Sequence, residues 1–318
     1  MTISDRVYGG HEISDPLALE LISCPSFQRL KHIAQVGIPS RYYYLNDCCS
    51  RFDHSVGVYI FLNRLGANRS EQIAGLLHDV SHLAFSHVAD WVLGDRSKED
   101  AQDKRHRTFV ERSEIADILD RAGLTVDEIC DYHRYALLEK EIPDICADRI
   151  DYALRESKPA IIKATLPYMI AAPDGVVFID IAAAKIFATN FLERQERHWG
   201  GYEAMTRYAI MSELLKLALM NGDLAEVDFD ATDDLILDKL TATGKKEYSG
   251  ILNILQQKNL EYLPRSEKAI VKKFRYVDPK VLAGGKPERL SAIDADFKKR
   301  LEEARALNAR GVRPGIIS

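Results

Sequence analysis

Apolar residues recur in this sequence with a helical period far more often than with the alternation of a half-buried strand, which limits the chain to a fold built mainly from helices. Over residues 16–22, Leu17, Leu21 and Ile22 share a face. A second stripe through Phe27, Leu30, Ile33 and Ala34 ends at Gly37 with Pro39 just beyond, the usual order of helix stop signals. A Tyr-rich stretch, Tyr42 to Leu45, follows. Val56, Tyr59, Ile60 and Leu62 predict a helix after Phe52, and Ser70 is placed to cap another that carries Ile73, Leu76, Leu77 and Val80, with His78 and Asp79 near its end. Thr125 and Glu128 have capping-box spacing for a helix towards Leu138, and a further helix from Pro143 would carry Ile145, Asp148, Ile150 and Asp151. The one convincing strand signal is Pro173-Asp174-Gly175 followed by Val176 to Ile179, a small hairpin. Helices are predicted over about 182–219 and 291–309, separated by a polar stretch with Gly244, Gly250, Gly284 and Gly285.

Composition excludes several classes of function. Lys and Arg number 43 against 48 Asp and Glu, a net charge of −5, without the basic excess of a dedicated nucleic-acid binder. No apolar run approaches the roughly 18 residues of a membrane span, and residues 1–6 have neither the basic nor the apolar part of a leader, so a cytoplasmic location is expected. The five cysteines (Cys24, Cys48, Cys49, Cys130 and Cys146) are odd in number and form no CxxC pair, so they read as free thiols. The chain has no GxxxxGK[ST] phosphate loop, no GxSxG elbow and no HExxH helix, and Gly284-Gly285-Lys286-Pro287 is only a loop.

Chemistry therefore rests on scattered His and Asp residues. His54, the adjacent pair His78-Asp79, and Asp148 fall on successive helical segments and could converge in a helical core. Two neutral imidazoles with two carboxylates suit a borderline divalent transition metal (Mn, Fe, Co, Ni or Zn) better than Mg²⁺, which prefers oxygen ligands. Any one of these histidines alone would ordinarily be a satisfied core residue. It is the ordered set that carries the reading: Arg51-Phe52-Asp53-His54-Ser55-Val56-Gly57-Val58, Leu76-Leu77-His78-Asp79, Phe85-Ser86-His87, and Asp148-Arg149-Ile150-Asp151-Tyr152.

With that set the sequence resembles the HD-domain phosphohydrolases, and within them the deoxynucleoside triphosphate triphosphohydrolases, the branch of the bacterial dGTPases and the human sterile-alpha-motif and HD-domain enzyme. Phe27-Gln28-Arg29-Leu30-Lys31 leading to Gln35-Val36-Gly37 is similar to the family's FQRL…QLG segment. The likeness covers about 15–157 and extends towards Leu219, and Phe274-Arg275-Tyr276-Val277-Asp278-Pro279 also has a family look. The resemblance implies a mainly α fold: an HD-domain helical core over 1–160 that includes an N-terminal substrate segment, then a helical C-terminal region, 161–318, which completes the site and contributes to assembly. It implies that His54, His78, Asp79 and Asp148 hold the metal, and that Mg²⁺ accompanies the nucleotide. His82 and His87 would contact phosphate, with His106 as proton donor and Asp90 as its orienter. Gln35 would meet the sugar 3′-hydroxyl, Arg51 and Arg149 the phosphates, Tyr152 the deoxyribose, and Glu156 the 3′-hydroxyl where the family often has Asp. Arg194, His198 and Tyr202, four apart, would face triphosphate and nucleoside from one helix, although Gly200-Gly201 interrupts it.

The implied reaction is hydrolysis of a small-molecule dNTP at the α-phosphorus to nucleoside and triphosphate, by a homo-oligomer that uses neither a membrane nor nucleic acid. One departure is His106-Arg107, where the family often has His-Glu. Three alternatives stay open: an HD nucleotidase or phosphodiesterase, a two-metal HD oxygenase drawing on His106 and His133, and a nucleotide-binding regulator without turnover.

Overall fold

The Arg51–Arg64 helix begins where the sequence supplies a complete cap: Ser50 Oγ accepts the Asp53 N–H at 3.1 Å, and the Asp53 carboxylate accepts the Ser50 N–H at 3.0 Å. In the computed structural model, which describes residues 1–44, 49–94 and 101–317, this helix is the centre of the domain. Packed on it are the Arg69–Leu77 helix, which follows after a short turn through Gly66, and the Ala147–Arg155 helix. These three helices bring together the segments that carry His54, His78-Asp79 and Asp148. Leu45 and Cys48 lie outside the described residues; Cys24, Cys49, Cys130 and Cys146 are free thiols.

The architecture is mainly α, with two small sheets. The hairpin expected at Gly175 is present as β3 and β4, following an N-terminal hairpin that the sequence reading missed: β1 (Thr2–Asp5) pairs antiparallel with β2 (Gly9–Glu12), and β3 (Met169–Ala172) with β4 (Gly175–Phe178). A last hairpin, β5 (Lys280–Ala283) and β6 (Lys286–Arg289), joins β4 through the parallel pairing of Phe178 with Val281, which gives a four-stranded sheet in the order β3-β4-β5-β6. So Gly284-Gly285 is a hairpin turn, not a loose loop. No helix is long and apolar enough to cross a membrane among the described residues.

Several predicted elements differ, each for a local reason. The cap of the second central helix is Asn68, whose side chain accepts the Glu71 N–H at 2.9 Å; Ser70 already lies inside the helix and donates to Glu128. The helix after Thr125 stops at Cys130, because the buried Glu71 carboxylate accepts the N–H groups of Leu137 and Leu138 that a helix would have used. The stripe after Phe27 divides into a short helix, Pro25–Gln28, and a 3-10 turn, Arg29–His32, after which Ile33 runs extended and its carbonyl accepts the Arg51 N–H at 2.9 Å. The helix expected from Pro143 starts at Ala147, which puts Asp148 in its first turn. The long helix expected over 182–219 is interrupted: Ile181–Arg194 passes into a π-helical turn, Gln195–Trp199, before Tyr202–Met220. The polar stretch beyond it holds two further helices, Asp233–Ala242 and Lys246–Leu255, with Ile236, Leu237, Leu240, Tyr248, Leu252 and Leu255 buried.

Two apolar cores result. One surrounds the central helices and reaches the sheet and the Ala295–Ala309 helix; the other surrounds Tyr202–Met220 and takes in Leu83 to Trp91 and residues from Leu224 to Leu260. Within the first core lies a chain of buried charge, in which Arg155 donates to Asp151 at 2.6 Å and to Asp5 at 2.7 Å. Gly57 on the central helix makes room for it, since a Cβ there would overlap both Arg155 Nη2 and Asp151 Oδ1. Gly57→Ala should therefore cost about 2–3 kcal/mol of unfolding free energy, read as a lower urea midpoint at unchanged slope. An unchanged midpoint would refute the close approach.

Candidate metal centre and active site

His54 is fully buried and held from behind: its Nδ1–H donates to Asp151 Oδ2 at 2.7 Å, which turns Nε2 towards Asp148 Oδ1 at 3.0 Å. His78, at the end of its helix, donates Nδ1–H to the Gly75 carbonyl at 2.7 Å, and its Nε2 lies 3.2 Å from that of His54. Asp79 completes the group, with carboxylate oxygens 3.6 Å from both imidazole Nε2 atoms, and Asp148 Oδ1 is 3.5 Å from His78. Ligands about 2.1 Å from a shared ion stand about 3.0–3.4 Å apart, so His54, His78 and Asp148 form a candidate donor group for a divalent cation, with Asp79 beside it and drawn to Arg51. The other ring nitrogens have the acceptors that orient metal-binding histidines.

Electrostatics agree with the geometry. Burial opposes a positive His54, yet hydrogen bonds to Asp148 and Asp151 outweigh it and push the imidazole up to about 9. His78 is likewise raised, burial being outweighed by Asp79 and Asp148. Burial would raise the Asp79 carboxyl, but Arg51 at 2.6 Å, His78 and His82 hold it well below the usual carboxylate range. Asp148 is also held low, its burial offset by His54 and His78. The site is thus built to keep negative charge around a cation.

A cavity of about 810 Å³ opens on this group along the seam between the two cores. Gln35, Arg51, His82, His87, His106, Arg149, Tyr152 and Glu156 line it together with His78, Asp79 and Asp148. Burial, with Arg51 nearby, pushes His82 down to about 3, so this ring is neutral beside Asp79 at 3.2 Å. Tyr152 sits close to the ligands, its ring centroid 6.4 Å from that of His54, and packs edge-on against Trp199 at 5.4 Å.

Other expected partners are arranged differently. Asp90 Oδ2 meets His87 Nδ1 at 3.3 Å, so the residue expected to orient His106 lies against His87. His106 has Ser81 Oγ at Nδ1, 3.1 Å, and Tyr132 Oη at Nε2, 2.7 Å, and burial, with His78 beside it, pushes it down to about 4. A neutral imidazole engaged at both nitrogens is poorly placed to donate a proton. Arg107 turns outward to Asp127. Arg51, expected on phosphate, commits its guanidinium to Asp79, Ser86 Oγ and the Gln35 carbonyl and is 3% exposed. Arg149 likewise donates to the carbonyls of Asp144 and Lys140 and to Glu139.

The C-terminal trio separates. Because a π-turn shifts the helical phase, His198 is buried between Tyr44 and Glu156, while the Tyr202 hydroxyl turns away to the Leu260 carbonyl at 2.9 Å. Neither Arg194 nor Tyr202 is part of the cavity wall. Glu156, expected at a sugar hydroxyl, accepts from the Trp199 indole at 2.8 Å and lies 3.0 Å from His198 Nε2. A second group of donors, Glu139, Cys146 and Asp148, adjoins the first, but the Arg149 guanidinium already sits against Glu139 and the Cys146 sulfur. His133, the other expected second-metal ligand, lines the cavity on a 3-10 turn and belongs to no donor cluster among the described residues.

Sequence reasoning missed Asp151, Tyr132 and Trp199. Asp151 carried a signal, since it lies three residues from Asp148 on one helix and so shares its face. Tyr132 and Trp199 carried none, because a 3-10 turn and a π-turn aim them.

The HD domain family matches residues 51–156, and the chain belongs to the HD-domain superfamily. Within it, the chain is 32% identical along its whole length to the uncharacterized protein YdhJ of Bacillus subtilis, of which the match covers 99%. It is 34% identical over 155 residues to the metal-dependent phosphohydrolase cns2 of Cordyceps militaris, covering 49% of this chain and 44% of that one. Human deoxynucleoside triphosphate triphosphohydrolase SAMHD1 is 37% identical over 103 residues, 28% of this chain and 16% of its own length. Among solved structures, a hypothetical protein from Aquifex aeolicus shares the fold with a TM-score of 0.64 at 18% identity, over 96% of this chain and 99% of that one.

Two outcomes test the site. His78→Ala with Asp79→Ala should leave purified protein without stoichiometric metal, by elemental analysis, while far-ultraviolet dichroism is largely retained; metal retained at wild-type levels would refute the ligand assignment. In the unfolded chain a histidine titrates near 6.5, so a His106 held at about 4 contributes stability that is complete above pH 6.5 and lost as pH falls towards 4. In metal-free protein, His106→Gln should flatten the fall of melting temperature between about pH 6 and 4.5. An identical pH dependence would refute the buried neutral ring.

Proposed function

We propose that this protein is a divalent-metal phosphohydrolase that converts deoxynucleoside triphosphates to deoxynucleosides and triphosphate. The observation that carries the reading is the convergence of His54, His78 and Asp148, with Asp79 beside them, next to a cavity large enough for a nucleotide. A transition ion bound there would lower the pKa of a water and polarise a phosphoryl oxygen. The likeness to cns2 and SAMHD1 supports the reaction class, and the likeness to SAMHD1 supports the dNTP.

The chain's own residues have separable roles in this reading. Arg51 keeps Asp79 ionised and in place. His82, neutral, turns its one N–H to Asp79 and helps hold that carboxylate in place. His87, oriented by Asp90 at Nδ1, is the group placed to protonate the departing 5′ oxygen, a role reassigned to it from His106. Tyr152 packs against the sugar beside the metal group, where its ring leaves no space for a 2′-hydroxyl. Glu156, held by the Trp199 indole beside His198, presents its remaining acceptor capacity near the 3′-hydroxyl, and Gln35, also on the cavity wall, approaches the same group.

Product analysis is the direct test: purified protein with Mn²⁺ and each dNTP, NTP and dNMP, with nucleoside, triphosphate and orthophosphate quantified separately. Nucleoside with triphosphate is the expected pair; orthophosphate from monophosphates would overturn the reading in favour of a nucleotidase, and absence of turnover would overturn it altogether. His87→Ala should lower kcat about 10²–10⁴-fold with bound metal unchanged, and wild-type kcat would refute its role. Tyr152→Ala should narrow the preference for deoxyribonucleotides; unchanged discrimination would remove it from the sugar site.

A further inference from the structure

Two consecutive residues immediately before His87 are held in the left-handed region: Phe85 at φ 62° and Ser86 at φ 44°, neither a glycine and both buried. Such residues are strained and persist only where the surroundings over-determine them. The surroundings here come largely from the C-terminal half. The Phe85 N–H donates to Asp233 Oδ1 at 2.6 Å, and the Ala84 N–H donates to the Phe229 carbonyl at 2.9 Å. The second Asp233 oxygen accepts the Ala34 N–H at 2.9 Å.

We propose that Asp233 is a positioning residue of the active site, clamping the Phe85-Ser86 turn and the Ala34-Gln35 segment to one another. The inference rests on the reading of this cavity as a phosphohydrolase site. Each clamped segment adjoins a residue that faces the cavity, Gln35 on one side and His87 on the other. Ser86 fastens the arrangement from the far side: its hydroxyl donates to the Ala34 carbonyl at 2.8 Å and accepts from Arg51 Nε at 3.0 Å, and Arg51 in turn holds Asp79. The two segments are pressed close enough that a Cβ on Gly37, itself at φ 75°, would stand 2.7 Å from the Phe85 carbonyl oxygen.

An aspartate in the first turn of a helix ordinarily faces solvent and offsets the helix dipole. Asp234 does that, half exposed and paired with Arg41. Asp233 turns inward instead and is 2% exposed. Burial pushes its carboxyl up to about 7 against the pull of the two N–H groups, a cost that helix capping alone does not require. Two acceptor oxygens at one point are what two converging backbone N–H groups need, and asparagine offers only one.

The test compares Asp233→Asn with Asp234→Asn. In the first, kcat for dNTP hydrolysis should fall about 10–100-fold, with KM and bound Mn²⁺ per chain within about twofold of wild type; in the second, kcat should be unchanged. Hydrogen exchange on the intact protein supplies the arm that needs no substrate: the Phe85 amide should exchange at least tenfold faster in Asp233→Asn, while core amides of the Arg51–Arg64 helix keep wild-type protection. Wild-type kcat with an unaltered Phe85 amide would overturn the proposal, as would a uniform loss of protection through the core, which marks a merely structural residue. If the wild-type protein hydrolyses no dNTP, the function fails on product analysis, and the exchange result still decides whether Asp233 holds the turn.

Discussion

Two imidazole nitrogens 3.2 Å apart form the contact on which the site depends. Each ring donates its other N–H to a fixed acceptor, Asp151 for His54 and the Gly75 carbonyl for His78, so both Nε2 atoms face one point. Such a pair is repulsive unless positive charge lies between, and Asp79 and Asp148 add negative charge from either side. The fold supports this arrangement with further charge. Asp151 is anchored by Arg155, Arg155 by Asp5 of the N-terminal hairpin, and the pair is admitted only because position 57 has no side chain. The buried charges of the first core are thus one connected system whose open end is the candidate metal position.

Much of this was legible in the sequence. The ligand segments lie on helices whose apolar period is plain, and the His and Asp spacing carried the HD-type resemblance that the match over residues 51–156 bears out. Less legible was whatever depends on a side chain replacing a backbone partner. Glu71 ends a predicted helix by accepting two N–H groups of a distant loop, and neither helix propensity nor capping patterns contain that bond. The two helices after Thr232 had ordinary apolar spacing, but nearby glycines drew the reading towards a loop.

The separation of Arg194, His198 and Tyr202 has a different origin. Spacing of four residues places side chains on one face only while the helix keeps its period, and one π-turn is enough to rotate the helix beyond it. Tyr202 therefore faces Leu260, while Trp199, which no motif singled out, occupies the cavity wall. Arg51 illustrates the complementary point, since a guanidinium beside a phosphate site need not touch phosphate. Its three nitrogens are bound within the protein, one of them to Asp79.

Finally, β4 and β5 are separated by about a third of the chain yet pair through Phe178 and Val281. Together with the contact of Phe229 and Asp233 on the turn at 84–85, this makes the cavity a product of contacts remote in sequence. Such contacts close late in folding, because the entropy of the intervening loop must be lost before they form. During synthesis, all four ligand positions leave the ribosome long before the residues that shape the rest of the cavity. The helices that carry the candidate donor group are thus complete in the chain well before the segments that close the far wall of the cavity, among them Lys272, Lys273 and Arg275.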